Sequence, residues 1–510
     1  MISAFKATIF IILLWLTRNN RLLNALIQII ILLFCILCIV NGVTFSLYGF
    51  GIGNHLITII GQTNTQEIKE FMPGLLCNLV TVVCTPKHLV LFLFVIANIY
   101  ILFKYVNIEI FACIVNITAV MGMGVLIYCM ATLTTGRTSI LTYIRAYKSI
   151  IYTIREQQNL KTVLANVREF PLSDSLYSEK LADVCLIIGE SSSRDHLSVY
   201  GYPLNTSPNM LKNKSKLYIF KDAVSSSVST AQNLERLLSF KTDDDGDQEW
   251  YKFPFLIDVF KNAGYKVWWI SNQEHTGLWT NSVAAMVNKA DVQIFQRESS
   301  EEHLIVPVDG GLMPYIDKAF KDESEYKFIG VHLLGSHESY RRRYPKQYNY
   351  FNADSILSNV SKPWLTKDKA QTIAEYDNSI RYTDHLLDSI MSMASNAKRP
   401  MLMLYLSDHG EDVYDDRDFV GRDEKFVRVP FVIYVNSEYR KAYPQLTALL
   451  DQSQNRPFTT ADIIHILMTL TGTSYPYYDE MRDVLSNQFI ERHRYVDDKP
   501  WRYESINSRK

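Results

Sequence analysis

Cysteine is almost missing from the greater part of this chain. Of seven cysteines in 510 residues, Cys35, Cys38, Cys77, Cys84, Cys113 and Cys129 lie toward the N-terminus, and only Cys185 lies beyond them. The C-terminal part can therefore form no internal disulfide, which excludes a disulfide-stapled framework there without fixing the compartment. An excess of either charge is missing too: 52 Lys and Arg stand against 53 Asp and Glu, a net charge of −1. No global basic field exists to draw nucleic acid, so no nucleic-acid partner is expected. Internal repeats and long low-complexity tracts are absent as well, and a chain of this length predicts two or three domains.

Charge is also missing locally, and these gaps organise the N-terminal part. Residues 22–43 carry none and are dominated by Leu, Ile and Phe. They are long enough to cross a hydrocarbon layer of roughly 30 Å. Residues 110–136 form a second such run, and residues 88–103 a shorter third between Lys87 and Lys104, whose stems can snorkel. Residues 7–17, between Lys6 and Arg18, read as an additional short span. No small-residue cleavage site follows them, which argues against a signal peptide. Residues 71–86 carry Pro73, Gly74 and Pro86 and fit a re-entrant or interfacial segment as well as a span. Residues 1–136 thus read as a transmembrane domain of four to five spans. Arg18, Arg21 and Lys104 mark cytoplasmic loops by the positive-inside rule, which puts everything after about Thr135 on the opposite side. Residues 137–180 read as an amphipathic connector, lying on the membrane or simply joining domains, followed by a polar linker.

From residue 181 to 510 the pattern changes to short apolar runs alternating with helical periodicity. Strands are predicted at Val184–Ile188, Val267–Ile270, Phe328–Leu334, Met401–Leu406 and Pro430–Val435. Helices are predicted at Ala231–Leu238, Phe255–Ala263, Lys369–Ser395 and Thr460–Leu470. Such alternation implies an α/β domain with a mainly parallel sheet flanked by helices.

Three of the strands end in chemistry-bearing residues. Val184–Ile188 runs into Gly189-Glu190-Ser191, and Met401–Leu406 into Ser407-Asp408-His409-Gly410-Glu411. Ligands bind beyond the C-terminal ends of parallel strands, and carboxylate oxygens with an imidazole nitrogen suit Zn²⁺. Gly410 permits the turn that brings Asp408 and His409 to one ion. A capping Asp and a surface His would explain Asp-His-Gly alone, but not its pairing with Glu190 on another strand end. The loop Val224–Ala231 is rich in hydroxyls and opens a helix, so Ser229 and Thr230 are both nucleophile candidates. An N-cap is the bland role for either. His337 follows the third strand, next to Arg341-Arg342-Arg343, and suits an anionic phosphoryl substrate. For the arginines a solvated surface patch is the better account.

Gly189-Glu190-Ser191, Arg194-Asp195, Tyr200-Gly201-Tyr202-Pro203 and Asn205-Thr206-Ser207-Pro208 together resemble the first signature of bacterial phosphoethanolamine transferases. These are inner-membrane enzymes of the alkaline phosphatase and sulfatase superfamily. Gly335-Ser336-His337, Tyr344-Pro345, Tyr376–Ile380, Ser407–Glu411 and Val429-Pro430-Phe431 follow in that family's order, over about residues 180–475. Gln62–Glu67 resembles its periplasmic loop between spans. The resemblance implies a sulfatase-like catalytic domain on the periplasmic side of the inner membrane. It implies zinc held by Glu190, Asp408 and His409, with Thr230 as metal-touching nucleophile. It further implies His337 in substrate binding, and we add Arg194 and Asn272 as substrate-binding candidates. Phosphatidylethanolamine would be the donor, and lipopolysaccharide or a periplasmic glucan the acceptor. Two features separate the chain from the lipid A-modifying branch: the loop Asp418–Asp423 lacks that branch's His, and the periplasmic domain has one cysteine. With Trp269–Gln273, they look more like the core- or glucan-modifying branch. A glycerophosphotransferase of the lipoteichoic acid synthase type, or a sulfatase or phosphatase, is the alternative.

Overall fold

The computed structural model describes residues 182–246, 248–274, 281–297, 307–360, 362, 364–414, 424–497 and 503. The spans, orientation and linker expected over residues 1–180 lie outside the described residues, as does the loop Asp418–Asp423. Among the described residues, no helix is long and apolar enough to cross a membrane.

A seven-stranded sheet is built around β1 (Asp183–Gly189). On one side β1 pairs with β6 (Lys327–His332), followed by β4 (Lys266–Glu274) and β5 (Val292–Arg297), all parallel. On the other it pairs in parallel with β7 (Met401–Ser407). Beyond β7 come β8 (Phe431–Val435) and β2 (Leu217–Phe220), each antiparallel to its neighbour. β3 (Ala223–Val224) and β9 (Phe458–Thr459) make a separate parallel pair. All five predicted strands are present; the antiparallel turn of the sheet at β8 is the addition.

The apolar runs follow from burial on both faces. Along β1, Val184, Leu186 and Ile188 enter one core with Phe260, Trp269 and Leu467. Cys185 and Ile187 enter the other with Val331, Tyr376 and Ile380. Ten helices are described, among them α2 (Thr230–Leu237), α3 (Leu256–Asn262), α7 (Lys367–Ser395) and α10 (Ile463–Thr471), each within a few residues of its predicted bounds. The 29-residue α7 starts where the Thr366 side chain accepts from Lys369 N at 3.2 Å. Its buried Ile373, Tyr376, Ile380, Thr383, Leu387 and Ile390 recur every three to four residues, as a helix lying on a sheet requires.

Register then decides what meets at the sheet edge. Gly189 pairs with Ser407 and Ile188 with His332, so β1, β7 and β6 end together. Glu190, Asp408 and the loop carrying His337 leave the sheet side by side.

Candidate metal centre and nucleophile

Asp408 is buried completely and Glu190 almost so, while His409 is half-buried. One ligand atom from each lies within 4.8 Å of the others. Hydrogen bonds aim these atoms. Asp408 Oδ1 accepts from Ser191 N at 3.0 Å and from His409 N at 2.7 Å, while Oδ2 is buried with no hydrogen-bond partner. His409 Nδ1 lies 2.8 Å from the Gly410 carbonyl, which can only accept, so Nδ1 carries a proton and Nε2 faces the carboxylates. Nε2 stands 3.3 Å from Glu190 Oε1 and 3.6 Å from Asp408 Oδ2.

The electrostatics of this cluster call for positive charge. Burial, then the Glu190 carboxylate, pushes Asp408 up to about 7. Burial alone would lower His409, but Asp408 and Glu190 hold its imidazole up at about 10. An orphaned carboxylate oxygen, a second carboxylate and an imidazole with a fixed outer nitrogen form a donor set that fits Zn²⁺.

Thr230 closes the cluster. It is the first residue of α2, with Ser229 as N-cap. Its hydroxyl donates to Glu190 Oε1 at 3.0 Å and lies 3.3 Å from His409 Nε2. Of the two hydroxyls left open by spacing, Thr230 is therefore the one that touches the carboxylate and the imidazole. Ser229 N instead donates to Ser227 Oγ at 3.0 Å.

The His337 loop is pressed against Glu190. Ser336 N donates to Glu190 O at 2.8 Å, and His337 N to Leu334 O at 3.2 Å. Gly335 has φ +54°, and a Cβ there would stand 2.7 Å from both Glu190 N and O. Gly410 has a different reason to be glycine from the turn expected of it. It is not among the positive-φ residues, but a Cβ would drive into the Lys425 carbonyl. The arginine run divides: Arg341 and Arg342 are exposed, whereas buried Arg343 donates to the His337 carbonyl at 3.1 Å and to Glu338 O.

The remaining candidates are engaged within the fold. The Arg194 guanidinium bonds the Lys221 carbonyl, with Asp195 3.8 Å away. Asn272 is buried, its amide donating to Asp309 Oδ1 at 2.8 Å and Pro307 O at 2.9 Å. Its neighbour Gln273 is the residue of β4 that reaches the cluster, 3.3 Å from Glu190 Oε2. Sequence reasoning missed Gln273 although the Trp269–Gln273 run contained it. It also missed Asn233, which bonds the Asp408 carbonyl, and gave no role to Tyr376 of the Tyr376–Ile380 motif, whose hydroxyl donates to Ser191 O at 2.7 Å and accepts from Ser193 N at 2.8 Å. That bridge holds Ser191 at φ +55°, the left-handed turn that delivers its amide to Asp408.

Comparison with known proteins extends this geometry. The sulfatase family model matches residues 182–473. The phosphoethanolamine transferase EptC of Escherichia coli K12 is 29% identical over 361 residues, which cover 68% of this chain and 61% of that protein. The chain thus matches about three-fifths of the length of that curated relative. The crystal structure of the C-terminal periplasmic domain of E. coli EptC in complex with Zn superposes with a TM-score of 0.60 at 27% identity. It covers 66% of this chain and 98% of that one. The integral membrane lipooligosaccharide phosphoethanolamine transferase A of Neisseria meningitidis gives a TM-score of 0.61 at 16% identity, over 92% and 91% of the two chains, a likeness of fold alone.

Proposed function

This chain belongs to the sulfatase family, and from that we propose that it is a zinc-dependent transferase that moves phosphoethanolamine from phosphatidylethanolamine to lipopolysaccharide or a periplasmic glucan. The observation that carries the reading is the meeting of Thr230 Oγ1 with Glu190 Oε1 at 3.0 Å and His409 Nε2 at 3.3 Å, beside the orphaned Asp408 Oδ2. A hydroxyl in the middle of a metal-type ligand set is a nucleophile's position, and relatives named for this transfer are alike across that region.

In this reading Glu190, Asp408 and His409 hold the zinc. When bound, zinc supplies Lewis-acid stabilisation to the threonine oxygen and to the phosphoryl oxygens. Thr230 Oγ forms a bond to phosphorus as the bond to diacylglycerol breaks, and the threonine's proton ends on the diacylglycerol oxygen. Glu190 Oε1 accepts that proton's hydrogen bond beforehand and so aims the hydroxyl's lone pairs. His337, on the loop braced against Glu190, supplies a donor to the phosphoryl group, while Arg194 and Asn272, whose side chains bond the Lys221 carbonyl and Asp309, would reach substrate only by giving up those bonds. An acceptor hydroxyl or phosphate then displaces the threonine. Two displacements through a covalent intermediate give ping-pong kinetics. Residues 1–136 anchor the enzyme in the inner membrane and residues 181–510 form the periplasmic catalytic domain, so that donor and site share one surface.

Incubation of the reconstituted chain with headgroup-labelled phosphatidylethanolamine tests this. Label is expected to reach the protein from that donor and not from phosphatidylglycerol. Equal labelling from phosphatidylglycerol would favour a glycerophosphotransferase instead. A mass shift of one phosphoethanolamine on lipopolysaccharide or on glucan, in cells with the gene against cells without it, identifies the acceptor.

A further inference from the structure

The loop that presents Thr230 is fastened from a residue almost at the end of the chain. Asp497 lies 269 residues from Val228 and 270 from Ser227, and it touches the loop with its amide and its carboxylate and the helix that follows with its carbonyl. Its N donates to Ser226 O at 2.9 Å. Its Oδ1 accepts from Ser227 Oγ at 2.7 Å and from Val228 N at 3.2 Å. Its carbonyl accepts from Arg236 of α2 at 2.5 Å, and the same guanidinium donates to Ser226 O at 2.7 Å. The φ of Asp497 is +65°, a conformation that Asp and Asn adopt more readily than other residues with a side chain.

The direction of the hydrogen bonds gives this fastening a consequence. A serine hydroxyl has one proton, and Ser227 faces two acceptors: Asp497 Oδ1 at 2.7 Å and Gln232 Oε1 at 3.2 Å. The shorter bond to a carboxylate is the stronger. Ser227 Oγ is then oriented to accept from Ser229 N at 3.0 Å. A relay thus runs from the Asp497 carboxylate through Ser227 to the N-cap residue of α2, one peptide bond before Thr230.

Resting on the reading of Thr230 as the nucleophile, we propose that Asp497 is a positioning residue that sets the Thr230 loop through Ser227 and Val228. Its hydrogen bonds go to Ser226, Ser227 and Val228 of the loop and to Arg236 of α2, so its effect falls first on the nucleophile. Displacing a nucleophile by a fraction of an ångström lowers the rate far more than it weakens binding.

The full-length chain with Asp497→Ala tests the proposal by three readouts. Amide hydrogen exchange at Val228 and Ser229 is expected to quicken while the sheet's amides keep their protection. Zinc content is expected to be unchanged, and the rate of covalent labelling from phosphatidylethanolamine to fall about tenfold or more with little change in KM. Asp497→Asn, which keeps the acceptor oxygen and tolerates the positive φ, is expected to restore most of both. Ser227→Ala cuts the same relay from its other end and serves if Asp497→Ala does not fold; combined, the two losses should not add. Unchanged exchange at Val228 and Ser229 in a folded variant, or unchanged labelling, overturns the proposal. The exchange readout needs no substrate, so failure of the transferase reading and failure of the fastening are told apart.

Discussion

Asp408 offers two carboxylate oxygens to opposite uses. Oδ1 is taken by two backbone amides and Oδ2 is left bare. Asp408→Asn keeps the first arrangement and forfeits the anionic ligand. We therefore expect it to fold like the parent and to lose zinc by elemental analysis; full stoichiometry in that variant would remove Asp408 from the ligand set. A second buried group makes a prediction about pH. His332 ends β6 with Nε2 buried and unpaired, and burial lowers it from 6.5 to about 4. Above pH 6.5 neither state takes the proton. Between there and about 4 only the unfolded chain does, so stability falls as pH drops through that window. At pH 4 the loss is on the order of 3 kcal/mol. His332→Phe should flatten denaturant midpoints across that range, and an undiminished acid slope in the variant would show that other groups are responsible.

At the scale of elements, the turn after β6 is packed directly on the backbone of Glu190. Gly335 combines a positive φ with a Cβ position 2.7 Å from the Glu190 backbone. Gly472, the C-cap of α10, has φ +63° and lies in another element. Both Gly→Ala changes should cost about 1–2 kcal/mol of backbone strain. Only Gly335→Ala should also displace Glu190 and weaken zinc binding in titration; equal zinc affinity in the two variants would contradict the bracing role. Within β1, Leu186→Ala should cost about 2–5 kcal/mol in chemical denaturation, because a fully buried position cannot be filled by water. These elements differ in how well the sequence announced them. β1, β6 and β7 are covered on both faces and read as continuous apolar runs. β5, Val292–Arg297, interleaves Gln293 and Gln296 with its apolar residues at a sheet edge, and β3 and β9 are two residues each, too short to carry a period. Glu190 and Asp408-His409 were legible because charge follows directly on an apolar strand. Gln273, Asn233 and Asp497 were not, because nothing local marks a polar residue whose partner lies 83, 175 or 270 positions away.

At the scale of the whole molecule, a hydrophobic N-terminal sequence precedes a sulfatase-type domain whose sheet edge gathers two carboxylates, an imidazole and a threonine. If the anchor's purpose is to keep the site beside a lipid donor, a chain lacking residues 1–180 should keep its zinc. It should lose most transfer from vesicles, yet retain activity toward a short-chain, soluble phosphatidylethanolamine. Parallel losses toward both donors would mean that the N-terminal part acts on the domain itself. The central claim is chemical, that Thr230 carries the phosphoethanolamine between donor and acceptor. Peptide mass mapping of the zinc-loaded chain, quenched after exposure to phosphatidylethanolamine without acceptor, tests it most directly. One phosphoethanolamine is expected on Thr230 in the parent and none in Thr230→Ala. Modification at Ser229, or persisting in Thr230→Ala, would contradict it.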